Sequence, residues 1–151
     1  MDYEVTEVPA ATYAVRRETV DFTEVSRVIS SFIEEVGRWA QPAGAVTGPP
    51  LSITSMSDGG RLNVATGWSV DGTKEPPGPI ELASYPAVRA AVHVHVGPYA
   101  GLPAVYQELG AALTAAGHRL GAEPRELYES NPDEVGPEQY VTRIVWPLAD
   151  E

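Results

Sequence analysis

Cysteine is missing from all 151 residues. Its absence excludes a disulfide framework and any thiolate zinc site. Lysine occurs once, as Lys74, and the 10 basic residues stand against 21 acidic ones, for a formal net charge of −11. Most of such a surface repels phosphate backbones, which argues against direct nucleic-acid binding. The same charge favours cationic partners or simply serves solubility, and composition leaves both readings open. No apolar run approaches the ~20 residues that a membrane span requires. The opening Met-Asp-Tyr-Glu-Val is acidic and strand-like, unlike a signal peptide. A single cytoplasmic domain is therefore expected. No serine occupies a G-x-S-x-G elbow, and no glycines begin a G-x-G-x-x-G or P-loop pattern. An activated nucleophile and a phosphate cradle are both lacking. His93 and His95 share a strand face, which begins a metal site. A catalytic zinc needs three protein ligands, and no third follows at a telling distance. The expectation is no metal and no cofactor.

What the chain does have is a doubled pattern. Pro9-Ala-Ala-Thr-Tyr-Ala-Val15 leads through a connector into a helical stretch ending at Gly37. Pro86-Ala-Val-Arg-Ala-Ala-Val92 does the same, its helical stretch ending at Gly117, with extra length in the connector Gly97–Gly101. Strands are expected at Tyr3–Val8, Thr12–Val20, Leu51–Met56 and Leu62–Val70, the last two flanking a Ser57-Asp58-Gly59-Gly60 turn. The second copy places them at Ile80–Ser84, Val88–Val96, Glu126–Glu129 and Val141–Leu148. Asp21 with Glu24 marks a helix start, and Phe22, Val25, Val28, Ile29, Phe32, Ile33 and Val36 recur at helical spacing. Leu102, Val105, Tyr106, Leu109, Ala112, Leu113 and Ala116 give the second helix its apolar stripe, with Gly117 as its cap. Pro42 to Pro50 reads as a rigid exposed connection, and Lys74–Pro79 as the seam. The fold class is α+β: a tandem pseudo-two-fold ββαββ repeat, an antiparallel sheet with two helices and a groove between the halves. The domain spans 1–151, with repeat halves at about 1–73 and 79–151. With the first strand expected within a few residues of Met1, no DNA-reading helix-turn-helix is expected ahead of it.

Three stretches of the second half carry a resemblance. One is His95-Val-Gly97-Pro98-Tyr99, running into Leu102-Pro103 and the helix through Tyr106 and Leu109 to Gly117. Another is Glu126-Leu-Tyr128 with Asn131-Pro132. The last is Pro137-Glu138, continuing to Thr142-Arg-Ile144 and Pro147-Leu148. In order and spacing these resemble the GyrI-like effector-binding family, whose first-half likeness comes mainly through the repeat. The resemblance implies a duplicated ββαββ fold found in AraC-type and MerR-type regulators and in free-standing proteins. It also implies binding of lipophilic, often cationic aromatic compounds (drugs or toxins) by aromatic walls and a buried glutamate. Glu126 matches that glutamate. Where the family usually has a preceding tryptophan, this chain has Arg125, a charge that could neutralise the carboxylate. Some relatives hydrolyse cyclopropane-bearing alkylating natural products, which gives resistance to them.

Glu126 and Tyr128, two apart in a strand, point to one side. A carboxylate among apolar walls has a raised pKa unless a positive charge accompanies it. Two readings of Glu126 follow: a ligand anchor in a cleft, or one half of an ion pair with Arg125, Arg119 or Arg143 at a wet edge. On the first, a hydrophobic, aromatic or cationic small molecule binds, with Glu126, Tyr128, Tyr99, His95 and Trp68 as contacts. Trp68 is the stacking wall, and cation–π contact alone is worth roughly 0.5–2 kcal/mol. An enzyme in the same pocket would use Glu126 as base and Tyr128 or Tyr99 as proton donor in a hydrolase acting on cyclopropanoid electrophiles. A third reading is a protein partner, DNA gyrase or a transcription regulator.

Overall fold

A computed structural model describes residues 1–149 and has the doubled order: β1 (Glu4–Val8), β2 (Ala11–Val20), α1 (Val25–Ala40), β3 (Val46–Met56), β4 (Leu62–Val70), β5 (Glu81–Tyr85), β6 (Val88–Val96), α2 (Leu102–Ala115), β7 (Arg125–Tyr128) and β8 (Val141–Pro147). The fold is α+β, with eight strands in antiparallel pairs and two helices. No helix among the described residues is long and apolar enough to cross a membrane.

The chain divides into two compact units. One, Pro9–Ala87, orders its strands β3-β4-β2-β5. The other, Met1–Val8 with the chain from Val88 onward, orders them β1-β6-β8-β7. The first strands of the two repeats have changed places. β1 pairs with β6 rather than with β2, and β5 pairs with β2 rather than with β6. The chain thus passes between units at Val8–Pro9 and Ala87–Val88, not at Lys74–Pro79.

In the Pro9–Ala87 unit, period-two alternation puts Leu62, Val64, Trp68 and Val70 on the face that meets α1, as the pattern requires. Val28, Phe32 and Val36 supply the buried stripe of the helix. Phe22 does not join them. It lies in a three-residue turn before the helix and is 66% exposed. Asp21 makes no side-chain cap and instead accepts a hydrogen bond from Arg61 at 3.1 Å. The helix also continues past Gly37. A Cβ at that position would lie 3.0 Å from Trp68 Nε1, so Gly37 is the notch in which the indole sits. Trp68 donates its N–H to the Ile33 carbonyl at 2.9 Å. β3 begins at Val46, earlier than expected, and runs through Pro49 and Pro50. A register shift between Val46 and Pro50 accommodates two residues that cannot donate to a ladder.

In the other unit α2 covers the sheet through Leu102, Leu109 and Leu113, which pack with Ala91, Ile144 and Leu148. Each buried leucine contributes about 1.5–3 kcal/mol. Gly117 (φ +90°) ends the helix as expected: its N–H reaches Thr114 O at 3.0 Å and His118 N–H reaches Leu113 O at 3.0 Å.

Candidate functional site

The face that β6, β8 and β7 present to α2 is fixed by register. Ala91 stands opposite Trp146, His93 opposite Ile144 and His95 opposite Thr142. Glu126 stands opposite Ile144 and Tyr128 opposite Thr142. Opposed residues share a face, so Glu126, Tyr128, Thr142, His93 and His95 project on the α2 side. Arg125, one residue from Glu126, is opposite Val145 and projects to the other side, where it is buried. Strand alternation therefore separates the two charges that adjacency in sequence suggested would cancel.

Glu126 is part-buried and bound by two phenols. Tyr106 of α2 donates to Oε2 at 2.8 Å, and Tyr128 donates to Oε1 at 2.8 Å. Burial pushes the carboxyl above its usual range, opposed by the two phenol hydrogen bonds. The same burial, with the nearby carboxylate, pushes Tyr106 far up and fixes it as a proton donor. No cationic side chain among the described residues forms an ion pair with Glu126. Arg143, one of the partners considered for it, bonds Glu129 at 2.8 Å instead.

Aromatic rings surround this carboxylate. Tyr99 meets Tyr128 edge-on (centroids 5.7 Å apart) and stacks on Tyr140 at 4.8 Å. Tyr106 meets Trp146 edge-on at 5.6 Å, and Trp146 is anchored by its N–H to Gly121 O at 3.1 Å. Glu126, Tyr128 and Tyr99 are thus brought together. His95 lies across Thr142 from Tyr128, with Nε2 directed at Pro98 O (3.2 Å). His93 Nδ1 bonds the Asp2 carbonyl. No group of three or more metal-ligating side chains occurs among the described residues. Trp68 belongs to the Pro9–Ala87 unit and packs in its core with Ala14, Val36 and Ala40. Helical spacing alone gives Tyr106 as a packing residue of the second helix's apolar stripe. The available signal was the hydroxyl of Tyr106 within an apolar stripe, which needs a partner once buried.

The equivalent place in the other repeat is filled. Aligning Trp68 with Trp146, each opposite an alanine (Ala14 and Ala91), makes Ser52 the counterpart of Glu126 and Arg16 the counterpart of His93. There Ser52 Oγ and Thr66 Oγ1 bond each other at 2.6 Å. Arg16 binds both oxygens of Glu35 at 2.7 Å and covers the Phe32 ring at 4.7 Å. Polar groups in that repeat satisfy one another, whereas Glu126 has phenols but no counter-charge.

The family model for the GyrI-like small molecule binding domain matches residues 1–149. No curated protein matches the sequence. Among solved structures, the C-terminal domain of EcmrR superposes with a TM-score of 0.78 at 22% identity, covering 99% of this chain and 98% of that one. SAV2435 bound to tetraphenylphosphonium superposes at 0.69 with 14% identity, covering 98% and 94%. A hydrolase encoded by lin2189 from Listeria innocua superposes at 0.65 with 14% identity, covering 98% and 92%.

Proposed function

The chain belongs to the GyrI-like small-molecule-binding family, and we propose that its ligand is a hydrophobic aromatic cation seated on Glu126. The observation that carries this is the part-buried carboxylate held by Tyr106 and Tyr128 without an ion-pair partner. An anion in that setting is held above its preferred free energy by lost hydration. A cation without a tight hydration shell restores the missing charge at little desolvation cost. Tyr99, Tyr128, Tyr106 and Trp146 supply faces and edges for its aromatic body, and cation–π contact adds roughly 0.5–2 kcal/mol. SAV2435, of the same fold, is known with tetraphenylphosphonium, which makes that ion a suitable probe.

The test is a calorimetric titration of tetraphenylphosphonium against the neutral triphenylphosphine oxide, on wild type and Glu126→Gln. Saturable binding of the cation, a clear preference over the neutral compound, and loss of that preference in the variant are expected. Equal affinity of both proteins for the cation would overturn the anchor role.

A second reading, hydrolysis of a strained electrophile, draws on the raised carboxyl and the phenol beside it. Glu126 would take a proton from water as its oxygen attacks a cyclopropane carbon, and Tyr128 would donate to the oxygen that receives the electron pair of the broken bond. Mass spectrometry of a cyclopropanoid alkylator after incubation separates the two. Recovery of unchanged compound leaves binding alone; a hydrated product that vanishes in Glu126→Gln makes the protein an enzyme.

A further inference from the structure

Thr142 Oγ1 is buried and has no hydrogen-bond partner among the described residues. A buried hydroxyl without a partner is destabilising and is uncommon in folded proteins. Its position makes it informative. Thr142 stands opposite Tyr128 on one flank and His95 on the other, on the face that carries Glu126. Tyr128, beside it, directs its own proton to Glu126, and His95 Nε2 is turned to Pro98 O.

The other repeat shows what packing alone would select here. The counterpart of Thr142 is Val64, which is 2% exposed and packs with Val20, Val28 and Phe32. Valine has the shape of threonine without the hydroxyl. The fold accepts that apolar form at one of its two equivalent positions, yet carries the hydroxyl in the repeat that also carries Glu126.

We infer that Thr142 is a second polar contact for the ligand, so that the compound taken is an aromatic cation bearing a hydrogen-bonding substituent such as a hydroxyl. This rests on the reading of Glu126 given under Proposed function. The diagonal Glu126–Thr142 relation across the β7–β8 ladder puts their Cα atoms about 7–8 Å apart. A substituent one aromatic ring away from the cationic centre spans that interval. Tyr99, which is 38% exposed, edge-on to Tyr128 and stacked on Tyr140, is in this reading the ring that moves aside.

The experiment titrates tetraphenylphosphonium and its meta- and para-hydroxyphenyl analogues into wild type, Thr142→Val, Thr142→Ser and Glu126→Gln. Wild type should favour one hydroxylated isomer by about three- to tenfold, the effect of one good hydrogen bond. Thr142→Val should lose that preference while holding tetraphenylphosphonium within about twofold of wild type, and Thr142→Ser should keep it. Without ligand, Thr142→Val should melt no lower than wild type, since it removes an unpaired buried hydroxyl. An unchanged isomer preference in Thr142→Val overturns the inference and leaves the role of Glu126 standing. Unchanged cation affinity in Glu126→Gln overturns both.

Discussion

Tyr106 on α2 and Glu126 on β7 meet through a 2.8 Å hydrogen bond, so the helix and the sheet are joined at the carboxylate itself. With Tyr128 on the other oxygen, the carboxylate has a fixed orientation before any ligand arrives. Preorganisation of this kind lowers the ordering cost of binding.

The first prediction concerns pH. Burial raises the Glu126 pKa above 4.5. Between that ordinary value and the raised one, the native state keeps a proton that the unfolded chain has released. Stability from this group therefore falls as pH rises through the window. Cation binding has the opposite slope, since it needs the ionised form: affinity should increase with pH and binding should release a proton. Calorimetry in buffers of different ionisation enthalpy measures that proton. In thermal unfolding, Glu126→Gln should gain on wild type from pH 4 to pH 8, and a gap independent of pH would contradict this account.

Tyr106→Phe removes one of the two donors that oppose the raised pKa. The carboxyl should titrate still higher, and tetraphenylphosphonium affinity should drop about three- to tenfold within the window where the wild-type carboxyl ionises, recovering above it. Leaving the anion with one phenol should cost about 1–3 kcal/mol of stability at pH 8 and less at pH 4. Affinity profiles that superimpose on wild type across pH would refute the role given to Tyr106.

Trp68 offers a control. Its indole is bonded to Ile33 O and seated against Gly37. Trp68→Phe and Gly37→Ala should each destabilise by about 1–3 kcal/mol, by loss of the bond and by overpacking respectively. Both should bind tetraphenylphosphonium within about twofold of wild type. A selective loss of cation affinity in Trp68→Phe would assign this ring to the ligand wall.

Gly67 tests the β2–β4 contact. A Cβ there would fall 1.8 Å from Ala14 O, a collision with backbone that no rotamer relieves. Gly67→Ala should yield no cooperatively folded protein by circular dichroism. A two-state unfolding curve close to wild type would show the strands able to part.

Legibility differed by residue. β4 and β6 lie where alternation placed them, at Leu62–Val70 and Val88–Val96, because each covers a core on one face and the period is strict. Gly117 was readable because a left-handed helix end favours glycine. The extension of β3 through Pro49 and Pro50 was not, since a bulge is set by the partner strand and leaves no local mark. Gly37 looked like a helix end for the same reason: its neighbour Trp68 is distant in sequence. At the site, Glu126 and Tyr128 were legible as a same-side pair. That Arg125 faces away was contained in the same alternation, while Tyr106 was hidden within an apolar stripe. The lone hydroxyl of Thr142 becomes visible only when set beside Val64.

The exchange of β1 and β5 has a consequence for how such a chain is assembled. Cutting it at Lys74–Pro79 leaves two fragments, each missing the strand its own sheet requires and each carrying the one the other lacks. A gene for one ββαββ repeat would meet the same shortage and would complete its sheet by trading strands with a twin molecule. Fusing two copies end to end turns that trade between molecules into one within a single polypeptide. In that single polypeptide one repeat carries Glu126 and the other the sealed Ser52–Thr66 pair.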